Sequence, residues 1–188
     1  MPSISPRWNE VLSTALNSGA AMTTRIVFSH GKDGAPWGPK IVAMADIAKR
    51  HGLQVESLDY RGMEDPAARV AKALEFCRAL DRPILVGSSL GGHVAAAVSA
   101  QLQTRGMFLL APAFFMKGLE QYTPTPGQCP IAIVHGWNDT VVPVENSIRF
   151  ARLHRASLHL VDSDHRLMSS IDVICELLDL FLARVTCS

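Results

Sequence analysis

Gly87-Ser88-Ser89-Leu90-Gly91 sets a serine between two glycines in the pattern G-x-S-x-G. A serine hydroxyl is a weak nucleophile until a general base takes its proton. Small residues around Ser89 permit a tight strand-to-helix turn that lifts the hydroxyl clear of the backbone. Pro83 to Gly87 (PILVG) reads as the strand before that turn, and the alanine-rich run Leu90 to Gln103 as the helix after it. The start of such a helix favours negative charge developing nearby. Two later loops offer the remaining groups for acyl transfer. His135-Gly136-Trp137-Asn138-Asp139 follows the apolar run Ile131 to Val134, and Asp162-Ser163-Asp164-His165 follows Leu158 to Val161. Ser89, Asp139 and His165 thus each follow a separate strand, in the order nucleophile, acid, base.

The rest of the chain must bring those three loops together. Arg25 to Ser29 (RIVFS), Leu53 to Tyr60 and Met107 to Leu110 read as further strands. Lys40 to Arg50 carries Ile41, Met44, Ala45 and Ala48 at helical spacing. Asp65-Pro66 has the form of a helix start, with Val70, Leu74, Cys77 and Leu80 as its apolar stripe. Pro143 to His154 reads as a helix that buries Val144, Ile148, Ala151 and Leu153, and Leu167 to Val185 as a long C-terminal helix. Strands that alternate with helices pair in parallel, because parallel neighbours need crossover connections. The fold class is therefore α/β, a three-layer sandwich with a mainly parallel sheet of about six strands. Parallel pairing puts the loops carrying Ser89, Asp139 and His165 at one edge of the sheet.

Composition agrees with one globular domain. The chain has 188 residues, 48% hydrophobic and 19% charged, which argues against disorder. A net charge of +1 lacks the basic excess expected of a nucleic-acid binder, and no apolar run is long enough for a membrane span. Cys77, Cys129, Cys175 and Cys187 are scattered, without ligand spacing, so no metal site is expected. Free thiols in a chain of this size suit a reducing, cytoplasmic compartment. Residues 1–22 read as an N-terminal extension or a short helix, with Trp8, Val11, Leu12, Ala15 and Leu16 on one face. Polar interruptions such as Asn9, Glu10, Ser13 and Thr14 argue against a secretory signal there.

Ser29-His30-Gly31, GSSLG, HGWNDTVVP and DSDHR occur in this order, and together they resemble the α/β-hydrolase superfamily from about Thr24 onward. The segment SHGKDGAPWGPK is similar to that of small capless bacterial members. The resemblance implies a hydrolase domain over residues 23–188. It implies Ser89 as nucleophile, His165 as general acid/base, and Asp139 as the group that orients His165. Asp162 and Asp164 precede His165 too closely for the family's arrangement. The backbone N–H groups of Leu90 and Lys32 are implied as the oxyanion hole.

The implied function is hydrolysis of a small ester or thioester through an acyl-enzyme, with no cofactor. A peptidase or carbon–carbon hydrolase could use the same three residues, and a non-catalytic scaffold could keep the fold. The expected partner is a small-molecule acyl substrate, and the oligomeric state is left open. Trp37, Trp137, Phe114 and Phe115 come from loops near Ser89 and either line an acyl pocket or plug the core. His30 and His135 read as loop-holding residues. Ala111 to Pro130, rich in proline, is the one segment that could cover the site.

Overall fold

Among residues 24–187, which the computed structural model describes, short apolar runs become the strands of one sheet. The chain runs β1 (Arg25–Ser29), α1 (Pro39–Arg50), β2 (Gln54–Leu58), α2 (Pro66–Cys77), β3 (Ile84–Ser88), α3 (Leu90–Ser99), β4 (Gly106–Leu110), β5 (Ile131–Gly136), α4 (Val144–His154), β6 (Ser157–Val161) and α5 (Ile171–Thr186). The expected features of residues 1–22 lie outside the described residues. The strand order is β2-β1-β3-β4-β5-β6, and every pairing is parallel. Register Ser29↔Gly87, Ser88↔Leu110, Leu110↔Val134 and Gly136↔Val161 aligns the strand ends along one edge.

The sheet is buried on both faces, which is why its central strands are apolar at successive positions. Ile26, Phe28, Val86, Phe108, Leu110 and Val134 pack under α1 and α5. Val27, Leu85, Met107, Leu109 and Ile133 point the other way, under α2, α3 and α4. Asp65 caps α2 as its sequence suggests: its carboxylate accepts from the Ala67 N–H at 3.0 Å, and Pro66 starts the helix.

Four elements differ from expectation. α2 ends at Cys77, which leaves Leu80 of the expected stripe beyond the helix. α3 stops at Ser99, because the Gln101 and Leu102 amides both turn back to the Val98 carbonyl. α5 begins at Ile171, after a left-handed Leu167 and a 3-10 turn over Met168–Ser170. In α4 the buried residues are Val144, Ser147, Phe150 and Ala151, whereas Leu153 is 61% exposed. The helix is rotated so that Phe150 stacks on Phe114, with ring centroids 3.9 Å apart.

The segment from Ala111 to Pro130 is the β4-to-β5 crossover, with a 3-10 turn at Glu120–Tyr122 in place of a helix. It is tied along the α3 and α4 flank. Asn146 Nδ2 donates to the Phe114 carbonyl at 2.8 Å, and the Gly127 N–H donates to Ser99 Oγ at 3.1 Å. Phe150→Ala should therefore lower the unfolding free energy by about 3–5 kcal/mol, and Leu153→Ala should change it by less than about 0.5 kcal/mol. Urea denaturation of both variants checks the orientation of α4, and equal losses would overturn it.

Candidate active site

Ser89 sits between β3 and α3 with φ 53° and ψ −118°, a backbone region that L residues avoid. Two close approaches make the turn possible. A Cβ at Gly87 would strike the Gly91 carbonyl, and one at Gly91 would strike the Ser29 carbonyl oxygen. The strained residue is pinned from both ends. Its N–H donates to the Leu110 carbonyl at 2.8 Å, and its own carbonyl accepts from Gly92 at 2.9 Å and Ala113 at 3.0 Å.

Three loops then converge on the Ser89 hydroxyl. His165 Nε2 lies 3.1 Å from Ser89 Oγ, and His165 Nδ1 lies 2.7 Å from Asp139 Oδ2. An ionised carboxylate only accepts, so Nδ1 carries the proton and Nε2 is left to accept from the serine. Asp139 Oδ1 accepts from the Val141 and Val142 amides, both at 2.8 Å. Burial raises the Asp139 pKa, but the Val142 amide, His165 and the Val141 amide outweigh it and hold the group below its ordinary value. Asp162 instead accepts from Asn138 Nδ2 at 2.8 Å, and Asp164 caps its own turn through the Arg166 and Leu167 amides. This arrangement can draw a proton from Ser89 and stabilise the resulting imidazolium.

The loop after β1 borders the same point. A Cβ on Gly31 would lie 3.3 Å from Ser89 Cβ and 3.9 Å from Ser89 Oγ. Lys32 follows Gly31 in that loop, and Leu90 is the first residue of α3, where an amide has no intrahelical acceptor. Lys40, in the first turn of α1, links two of the loops: its ammonium donates to Ser88 Oγ at 3.1 Å and to the Arg166 carbonyl at 3.0 Å. Burial lowers the Lys40 pKa to about 8, against the opposing pull of Asp164. Among the described residues no cluster of three or more His, Cys, Asp or Glu is placed to hold a metal ion, and no helix is long and apolar enough to cross a membrane.

A family model described as "Alpha/beta hydrolase family" matches residues 26–184. The chain belongs to the alpha/beta hydrolase family. A crystal structure of an alpha/beta superfamily protein from Xanthomonas campestris pv. campestris is 31% identical, with a TM-score of 0.78 over 86% of this chain and 99% of that one. Est1E from Butyrivibrio proteoclasticus superposes with a TM-score of 0.75 at 16% identity, over 90% of this chain and 91% of its own. The Pyrococcus furiosus esterase Pf2001 gives 0.71 at 14% identity, over 86% and 83%. These last two likenesses are of fold. No curated protein matches the sequence.

Within this alpha/beta hydrolase the aromatic candidates divide. Phe114 is fully buried and stacked on Phe150, so it packs in the core. Phe115 packs on the same helix, with the Arg149 guanidinium 4.0 Å over its ring. Trp37 and Trp137 remain 51% and 56% exposed, in the loops after β1 and β5. His30 and His135 hold loops as expected, but His135 does more than its position in the chain suggests. Its Nε2 lies 3.0 Å from both the Val142 carbonyl and Asp139 Oδ2, and its Nδ1 lies 2.7 Å from Ser147 Oγ. The sequence signal for this is a serine on the sheet-facing side of α4, beside a histidine near the end of β5.

His30 and His135 also make the fold sensitive to acid. Burial is the main cause that holds both imidazoles below the ordinary value of 6.5. Just below that pH the unfolded chain binds more protons than the folded one, so stability is present above it and is lost as pH falls. The thermal midpoint should drop between about pH 7 and about pH 5, and His135→Gln should flatten the slope. A midpoint independent of pH in calorimetry across this range would overturn the assignment of neutral imidazoles.

Proposed function

We propose that this protein is a serine hydrolase that cleaves small, uncharged or weakly charged esters or thioesters. The observation that carries the reading is the bridge of His165 between Ser89 Oγ at 3.1 Å and Asp139 Oδ2 at 2.7 Å, built on a strained serine. In the first half-reaction Ser89 Oγ attacks the acyl carbonyl while His165 Nε2 takes the hydroxyl proton. The carbonyl oxygen becomes an oxyanion, for which the Leu90 and Lys32 amides are the proposed donors. Collapse breaks the bond to the leaving alcohol or thiol, which receives the proton from His165, and leaves an acyl ester on Ser89. In the second half-reaction water attacks that ester, His165 accepts a proton from the water, and Ser89 recovers it as the acid departs.

The rim favours an apolar acyl or alcohol group. Trp37, Trp137, Val141 and Met168 are all exposed, in loops that leave the strand ends around Ser89. The Ala111 to Pro130 crossover lies along α3 and α4, which supports an open site without a cap. All four cysteines are free, which supports a reducing, cytoplasmic setting.

A fluorophosphonate probe and a series of p-nitrophenyl esters test the proposal. Wild-type protein should be labelled and should turn over short esters, and Ser89→Ala should lose both. Asp139→Asn should lower kcat by about four orders of magnitude, because the imidazole is left in the wrong tautomer. Labelling that persists in Ser89→Ala, or ester turnover indifferent to it, would sink the assignment and favour a scaffold.

A further inference from the structure

Arg69 is a charged side chain in the wrong place for solvent. It sits one turn into α2, only 2% exposed, and its hydrogen bonds go to backbone carbonyls. Nε donates to the Met63 carbonyl at 2.7 Å. One terminal nitrogen donates to the carbonyls of His30 at 3.3 Å and Gly31 at 3.2 Å, and the other to that of Lys32 at 3.3 Å. The Tyr60 ring lies 5.3 Å from the guanidinium carbon. Three of these carbonyls are consecutive, and they belong to the loop that borders Ser89. Taking a guanidinium out of water is costly unless its donors are met, and here they are met by that loop and by the Met63 carbonyl.

The direction of those carbonyls has a consequence on the other side of the loop. In a trans peptide the N–H points opposite the C=O. The Gly31 carbonyl faces Arg69, while the Cβ direction of Gly31 points at Ser89, where a Cβ would lie 3.3 Å from Ser89 Cβ. The N–H of Lys32 belongs to the Gly31–Lys32 peptide and is turned away from Arg69. We propose that Arg69 is a positioning residue: by holding the Gly31 carbonyl it aims the Lys32 N–H at the space beside Ser89 Oγ. The idea rests on the hydrolase reading above. His30 assists, since its Nδ1–H donates to the same carbonyl at 2.7 Å and its Nε2 accepts the Tyr60 N–H at 2.9 Å. A peptide whose carbonyl accepts a charged donor is polarised, and its N–H becomes a stronger donor. Only arginine has a fork wide enough to span consecutive carbonyls from one side chain.

Arg69→Met separates this role from simple packing. Misaimed, the donor should cost about 10- to 100-fold in kcat with KM changed by less than about twofold. Affinity for an alkylboronic acid should fall in parallel, because its tetrahedral adduct on Ser89 presents the same oxygen to the same N–H. Deuterium uptake over residues 29–36 should rise while β3 and β4 stay protected. Arg69→Lys should restore part of each quantity. A folded Arg69→Met whose kcat and boronate affinity both match wild type would overturn the proposal, as would a kcat loss with boronate affinity intact. Should Arg69→Met fail to fold, Arg69→Lys takes its place, and wild-type turnover with wild-type exchange overturns the proposal there. Wild-type protein without Ser89-dependent turnover overturns the hydrolase reading instead. Exchange at residues 29–36 then decides the brace: a rise in the Arg69 variants sustains it, and none overturns it.

Discussion

The left-handed backbone of Ser89 is the constraint around which the molecule is arranged. A residue held there costs about 1–3 kcal/mol, and the conformation persists only where its surroundings over-determine it. They do so from four directions. β4 accepts the Ser89 amide through Leu110, the α3 helix and the start of the crossover donate to its carbonyl, and β1 closes against Gly91 through Ser29. The strain is thus distributed over the three central strands. A shift of register by one residue between β3 and β4 would remove the Leu110 acceptor and turn every core residue to the wrong face.

Strand order decides what reaches that turn. The chain leaves β1 toward β2 and then returns to place β3 on the other side of β1. The loops after β1 and β3 therefore part company at the sheet edge and leave a crevice between them, the position where open α/β sheets bind ligands. Gly31 and Ser89 meet across that crevice. The loops after β5 and β6 arrive from the opposite side with Asp139 and His165. Lys40 joins the two halves, with one bond to the elbow and one to the His165 loop.

Much of this was legible in the chain, and the gaps share a cause. RIVFS forms a strand over its full expected length, and the Asp65-Pro66 start of a helix is seen as read, because local chemistry decides both. Ser89, Asp139 and His165 could be singled out because each follows a strand and parallel strands share an edge. Arg69 could not be. An arginine within a helical pattern reads as a solvent-facing residue, and only the tertiary approach of the β1 loop gives its donors partners. The stripe of α4 misled for a related reason. Leu153 and Ile148 fit a helical face, but the ring of Phe114, brought from a distant crossover, makes Phe150 the better residue to bury. Periodicity specifies a face, and the packing partner chooses among the faces available.

Three histidines lie at this sheet edge, and their hydrogen bonds divide the labour among them. His30 spends one nitrogen on the Gly31 carbonyl and the other on the Tyr60 amide, and is 2% exposed. His135 spends its nitrogens on Ser147, Val142 and Asp139 and is fully buried. Neither ring has a nitrogen left for a ligand, and protonation of His30 would set a second donor against the Tyr60 amide. Of the three, only His165, 21% exposed at its side chain, turns a nitrogen toward the Ser89 hydroxyl while Asp139 holds the other. The difference lies in which groups each ring meets, since His30 and His165 follow strands and His135 is the penultimate residue of β5. A buried polar shell saturated on every side leaves a single proton acceptor facing Ser89. To the sequence reading of His165 as the base and of His30 and His135 as loop-holding residues, the surrounding hydrogen bonds add a physical reason: the nitrogens of His30 and His135 are already engaged.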